Sequence, residues 1–314
     1  MKKTFKPFLP LNIQHFAGGT ANQNKAARSY QKQFKQLLQA VFRSQAYFRD
    51  FFGGGIEALD GVQHNETAFY VKTSDIPVVV GTEYTKDANV AFGEGTSNST
   101  RFGPRTEIIY QDTPVPYTWE WVYHEGIDRH TVNNDFQAAV ADRLDLQAQA
   151  KIKKFNQQHS KFISSIAEKT ENLAEYSADG VLALFNELSE YYVNIEAIGT
   201  KAAKVNAKLY NAIVDHPLTT TAKGSSANID GNSILTFKDF VIEKIPDVML
   251  QNGEVAYTYI TGVGKAFTGI NTARTIESED FDGVALQGAG KAGEFILDDN
   301  KKAVAKVVAG TPVG

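Results

Sequence analysis

Residues 93–106 read GEGTSNSTRFGPRT, and they separate two extended runs at residues 68–80 and 107–123. Gly93, Gly95, Gly103 and Pro104 are turn formers, and Ser97, Asn98 and Ser99 are loop formers, so the stretch predicts a hairpin with a long polar tip. Residues 133–169 follow with neither Pro nor Gly among them. As one helix rising 1.5 Å per residue they would span about 55 Å. No compact globular domain needs both an arm and a rod of that length. A subunit that reaches over its neighbours does, and the pair points to assembly rather than catalysis.

Composition sets the outer bounds. At 314 residues the chain is long enough for two lobes, each with its own core. Its 32 basic and 36 acidic side chains give a net charge of −4, whereas dedicated nucleic-acid binders are usually basic. There are no cysteines, which excludes disulfides, thiolate metal sites and Cys nucleophiles. The start, Met1-Lys-Lys-Thr-Phe-Lys6, imitates the basic opening of a secretion signal, but Pro7, Pro10, Asn12, Gln14 and His15 break the apolar run that such a signal needs. No stretch approaches the 18 to 20 apolar residues of a membrane span, so no membrane partner is expected.

Residues 1–23 read as an arm, and residues 24–52 as an amphipathic helix. Tyr30, Phe34, Leu37, Leu38, Val41, Phe42, Phe48 and Phe52 recur at three- and four-residue steps, and Gly53-Gly54-Gly55 ends the run. The return run of the hairpin carries Tyr117, Trp119, Trp121 and Tyr123 on alternate positions, hence on one face of a strand. That strip is read as a core face, or as a surface buried against the long helix or a neighbouring subunit; exposed, it could stack sugars. For the long helix, Thr131, Asn133 and Asn134 are candidate caps, and Asp135 suits the positive end of its dipole. Phe136, Val140, Leu144, Ile152, Phe155, Phe162, Ile163 and Ile166 form a narrow apolar stripe, as on a helix lying across a sheet.

From Ser177 the pattern becomes mixed α/β. A helix is expected over 179–193, a short strand running into a helix over 205–214, and strands over 240–249, 255–261, 272–278, 294–298 and 303–308, with a helical turn at 265–270. Residues 219–233 form a loop of Gly, Ser, Thr and Asn.

Signals of chemistry are scarce. His124 and His130, with Glu125 and Asp128 between them, form the densest polar cluster, but the i, i+4 histidine spacing of a zinc helix is absent. Gly288-Ala-Gly-Lys291 and Gly262-Val-Gly-Lys265 resemble phosphate loops faintly; Ala292 and Ala266 stand where Ser or Thr would hold magnesium, and both stretches are expected to be turns. No GxSxG elbow occurs. No catalytic residue, metal ligand or cofactor site is assigned, and no enzyme is expected.

The order of hairpin, GEG-containing tip, return strand and long helix resembles the major capsid proteins of tailed bacteriophages with the HK97 fold. The opening Leu9-Pro-Leu-Asn-Ile-Gln-His-Phe-Ala17 is similar to leaders on structural proteins of phages that infect Gram-positive hosts. The resemblance implies an α+β fold with an N-terminal arm (1–23), an N-terminal helix and connection (24–66) and an extended E-loop hairpin (67–123). A peripheral (P) domain with its spine helix (124–176), a mixed α/β axial (A) domain (177–290) and closing C-terminal strands (291–314) would follow. It implies a late structural protein that self-assembles into hexamers and pentamers of an icosahedral virion shell in the host cytoplasm. The shell would enclose double-stranded DNA without sequence specificity, with portal and scaffolding proteins as partners; an encapsulin-like compartment shares the fold. Inter-subunit contacts are expected at Gly93, Glu94, Gly95, Arg101, Arg105, Trp119 and Trp121. A loop near the symmetry axes is expected around Lys223, Gly224, Ser225 and Asn228. Some members of the family join an E-loop Lys to a neighbour's Asn; Lys86 is the lysine near this hairpin, and no partner for it can be matched.

Overall fold

The computed structural model describes residues 45–59, 66–74, 76, 78, 80, 84, 86, 101–102, 107–132, 135–217, 234–251 and 253–310. The expected arm, most of the expected N-terminal helix, Gly93, Glu94, Gly95 and Arg105 of the hairpin tip and the whole 219–233 loop lie outside them.

The long helix, α1, runs over Phe136–Ile166, about 46 Å at 1.5 Å per residue. Its N-cap is Asp135, whose carboxylate accepts from the backbone N–H groups of Gln137 and Ala138 at 3.1 and 3.2 Å. Thr131 is not the cap: it closes a 3-10 turn instead, donating to the Asp128 carbonyl at 2.9 Å. Of the apolar stripe Val140, Phe155 and Ile163 are buried, while Leu144 is 39 % exposed.

That helix lies across a four-stranded sheet. Its strands are β1 (Ile56–Leu59), β4 (Trp119–Asp128), β10 (Gly264–Glu277) and β11 (Gly283–Ile296), in the order β1-β10-β11-β4. A separate two-stranded ribbon, β2 (Thr67–Thr73) with β3 (Gln111–Pro116), stands off this sheet. The remaining sheet is six-stranded, ordered β5-β12-β9-β6-β8-β7. It comprises β5 (Lys169–Leu173), β6 (Lys201–Val205), β7 (Thr236–Phe237), β8 (Phe240–Lys244), β9 (Glu254–Ile260) and β12 (Val304–Ala309). Two helices, α2 (Ala178–Asn194) and α3 (Ala207–Val214), cover one face of it through Val181, Leu184, Phe185, Leu188, Leu209 and Ile213. The other face meets the end of α1 and residues 48–52 through Ile163, Phe48, Phe51, Tyr257 and Tyr259. With both faces covered, β9 is buried at six of its seven positions.

Several local expectations are corrected. Residues 47–54 form hydrogen-bonded turns rather than the end of a helix, closed by Gly53 and Gly54 at φ of 68° and 116°. The run 107–123 is two strands. At Pro116, which has no N–H, pairing with β2 ends; Tyr117 N–H still reaches back to the Glu66 carbonyl, but Thr118 N–H turns to Ala292 of β11. Residues 265–270 are strand, not a helical turn, and 288–291 lie in mid-strand rather than in a turn. The strand expected over 240–249 stops at Lys244 and gives way to a 3-10 turn at Asp247–Met249. No described helix is long and apolar enough to cross a membrane.

Candidate assembly interface

Among the described residues the ribbon β2–β3 is anchored at its root. At its root, Phe69 packs edge-on against Phe267 and Phe295, with ring centroids 5.2 and 5.8 Å away, and Val115 is buried. Farther out its contacts are with itself: Lys72 Nζ lies 3.7 Å from Asp112, and the Thr73 and Thr113 hydroxyls are 3.1 Å apart. Beyond the paired residues, Val78, Val80 and Phe102 are 93, 86 and 85 % exposed, and Ile108, Ile109 and Tyr110 are each more than half exposed. Tyr84 and Phe102 touch edge-on at 5.2 Å. Single exposed apolar residues are ordinary, but this many on the one connection between β2 and β3 mark a surface awaiting a partner. Arg101 is half-buried and makes further contacts of its own. Lys86 is exposed.

The aromatic strip turns inward, toward α1. Trp119 meets Phe155 edge-on at 4.7 Å, Trp121 stacks beside Tyr123 at 6.1 Å, and Lys151 Nζ sits 3.7 Å over the Trp121 ring. Burial beside the indole holds the Lys151 ammonium below its ordinary pKa. Trp121 is 5 % exposed, so its side chain is spent within its own subunit and offers nothing to a neighbour or to a stacking sugar. Opposite the strip, β11 supplies small residues in register: Trp121 faces Gly290, Tyr123 faces Gly288 and Trp119 faces Ala292. A Cβ at Gly290 would lie 2.5 Å from the Trp121 ring, and one at Gly288 2.2 Å from the Tyr123 ring. The glycines are the seats of the aromatics.

A buried polar knot joins the ribbon's root to this layer. Glu294 of β11, 7 % exposed, accepts from Trp119 Nε1 at 3.1 Å and from the Thr118 hydroxyl at 3.4 Å, and its Oε1 lies 2.9 Å from His159 Nδ1 of α1. Phe52 and Phe155 cover the imidazole at 4.4 and 5.7 Å. A carboxylate in such a place is tolerable because it is fully partnered. A second knot seats residues 45–52: buried Lys204 of β6 pairs with Asp50 at 3.0 Å and with Glu243, while Tyr259 donates to Asp50 at 2.9 Å. Nothing in the sequence singles out Glu294 or Lys204. His159 carries a faint signal, lying four residues after Phe155 on the apolar stripe.

The His124–His130 cluster is dispersed. His124 lies beside Gln287 at 3.2 Å, Glu125 is held by Arg143 of α1, Asp128 caps the 3-10 turn and His130 faces Asp282 at 3.4 Å. Alternation along β4 sends neighbours to opposite faces of the sheet. Among the described residues no group of three potential metal ligands converges. A cleft of about 290 Å³ lies at the ribbon's root, lined by Glu66, Pro116, Tyr117, Thr118, Trp119, Glu120 and Lys291, without a nucleophile–base pair.

No family model matches the chain, and no curated protein does. Solved structures do. A capsid chain of the cyanophage P-SCSP1u is 11 % identical with a TM-score of 0.65, over 96 % of this chain and 94 % of that one. The mature capsid of bacteriophage PhiM1 gives 8 % identity and a TM-score of 0.62, over 85 % and 88 %. A chain of Mycobacterium phage Che8 gives 14 % and 0.59, over 85 % and 92 %. The likeness is one of fold, and it runs through nearly the whole chain: this is the HK97 fold of tailed-phage capsids, with α1 as its long helix.

Proposed function

We propose that the chain is a major capsid protein, a structural subunit that assembles with copies of itself into hexamers and pentamers of an icosahedral virion shell. The observation that carries this is the β2–β3 ribbon, rooted on Phe69 and Val115, together with the exposed Val78, Val80, Phe102, Ile108 and Ile109 of the stretch that joins its strands. We read it as the E-loop of an HK97 fold, and the tip residues Gly93, Glu94, Gly95, Arg101 and Arg105 are proposed to rest on the adjacent subunit together with half-buried Trp119. Lasting interfaces of this kind bury roughly 2,000 Å² or more, which a long arm supplies.

The six-stranded sheet with α2 and α3 is proposed as the axial domain. Lys223, Gly224, Ser225 and Asn228 are proposed as its loop nearest the symmetry axes, because so polar a segment gains little from burial and can differ between pentamer and hexamer. Enclosed double-stranded DNA, a portal and a scaffold are the proposed partners. The leader at 9–17 favours a phage of a Gram-positive host.

Deleting residues 94–105 tests the reading. The expected product is a soluble, folded subunit that forms no shells in negative-stain images; normal shells from the deletion variant would remove the assignment.

A further inference from the structure

Between Asp145 and Glu168 the sequence holds no acidic residue, yet it carries Lys151, Lys153, Lys154 and Lys161, all on α1, in a chain of net charge −4. Lys151 is occupied over Trp121. The other three are exposed, as is Gln157, and Lys153, Gln157 and Lys161 follow one another at i, i+4 steps. Lys154 uses one of its three donors on the Glu120 carbonyl at 2.9 Å. The ammonium groups of Lys153 and Lys161 make no ion pair or hydrogen bond among the described residues, although exposed lysines elsewhere in the molecule do, as Lys302 with Asp299 and Lys72 with Asp112. The helix's own field does not account for them. The negative end of a helix dipole acts within its last turn, and Lys153 lies more than three turns and Lys161 more than one turn before Ile166. Nor does packing, since the buried side of this half is Phe155, Asn156, His159, Ser160 and Ile163.

We infer that this face of α1 contacts the phosphate backbone of double-stranded DNA, without reading bases. Lys153, Gln157 and Lys161 stand in one i, i+4 row about 12 Å long, and duplex DNA presents a negative charge about every 1.7 Å of its axis, so the row spans several phosphates. Two or three lysines, with no aromatic or Asn/Gln constellation aimed at base edges, make a weak and salt-sensitive contact. That suits a surface lying against densely held DNA without gripping it. The inference rests on the shell reading and adds to it which surface of the subunit meets the contents.

Binding of a fluorescein-labelled 30-base-pair duplex to the full-length subunit, followed by anisotropy from 25 to 200 mM salt, tests it. The double variant Lys153→Gln/Lys161→Gln is compared with a charge-matched control, Lys301→Gln/Lys302→Gln, and thermal melts establish that each is folded. The expected result is that the control binds as the parent does, while the double variant binds on the order of tenfold more weakly at low salt and loses about 1.8 from the slope of log K against log salt, the share of two phosphate contacts. No binding by the parent, or equal slopes for both variants, overturns the inference. So does a labelled polyglutamate peptide that binds through these lysines where the duplex does not, because the occupant is then an acidic protein. Negative-stain images of the same preparations keep the two readings apart: shells together with a flat DNA titration sink only this inference, whereas absence of shells in the parent sinks the capsid reading.

Discussion

Gly290 shows how little room the layer beneath α1 leaves. An added Cβ would lie 2.5 Å from the Trp121 ring and 2.7 Å from the Gly269 carbonyl oxygen, and the second of these is backbone and cannot swing aside. Gly290→Ala should therefore cost on the order of 1–3 kcal/mol, the usual range for overpacking a filled site. Gly288→Ala should cost less: the atoms it meets belong to the half-buried Tyr123 ring, which can rotate outward. Denaturant titration of the two variants checks the order, and equal losses would mean that the aromatics, not the backbone, set the limit. The same layer holds a pH-dependent contact. Arg143 donates to Glu125 from Nε at 2.6 Å, and this hydrogen bond holds the Glu125 carboxyl below its ordinary pKa of 4.5. A lowered folded-state pKa means that the stabilisation is complete above 4.5 and is lost as the pH falls through the lower folded value. The melting-temperature gap between the parent and Glu125→Gln should then be constant from pH 8 to about pH 5 and close below that. A gap that widens on acidification would contradict the pairing.

At the scale of elements, what could be read from the sequence tracks periodicity, and what was lost tracks context. The long helix is legible because its stripe has one period and Pro and Gly are absent; only its ends move, to Phe136 and Ile166. α2 and β12 fall within a residue or so of their expected places for the same reason. The strand β11, GVALQGAGKAGEFI, is illegible because three of its interior positions are glycine, a poor strand former, and only the neighbouring Tyr123, Trp121 and Phe267 explain why glycine is needed there. The break between β3 and β4 is hidden differently: the alternation of Tyr117, Trp119, Trp121 and Tyr123 continues straight through it, while the backbone at Thr118 changes its partner from one sheet to another. Of the candidate contact residues, Trp121 stood equally as core face or inter-subunit contact, because aromatics read alike in both; within the subunit it is 5 % exposed.

Across the whole molecule, residues 45–54 stitch the two sheets together. Phe51 is fully buried, edge-on to Tyr259 of the six-stranded sheet at 4.9 Å, and a Cβ at Gly264 of the other sheet would strike its ring at 2.3 Å. Asp50 adds its bonds to Lys204 and Tyr259, and its carbonyl accepts from Gly262 N–H at 2.9 Å. The subunit's stability is thus tied to the residues from Phe48 onward, and residues 1–20 are proposed to serve assembly. Phe51→Ala should cost about 3–5 kcal/mol by leaving a cavity between the sheets, a fall of roughly 5–8 °C in melting temperature at the usual entropy of unfolding per residue. Removing residues 1–20 should leave the melting temperature of the subunit within a degree or two and instead reduce the yield of closed shells, because the proposed role of that segment lies between subunits. Calorimetry and particle counts on the two variants separate the effects. A truncated chain that assembles at full yield with no other phage protein present would show that the arm is dispensable, and a truncated chain that melts several degrees lower would show that it belongs to the fold.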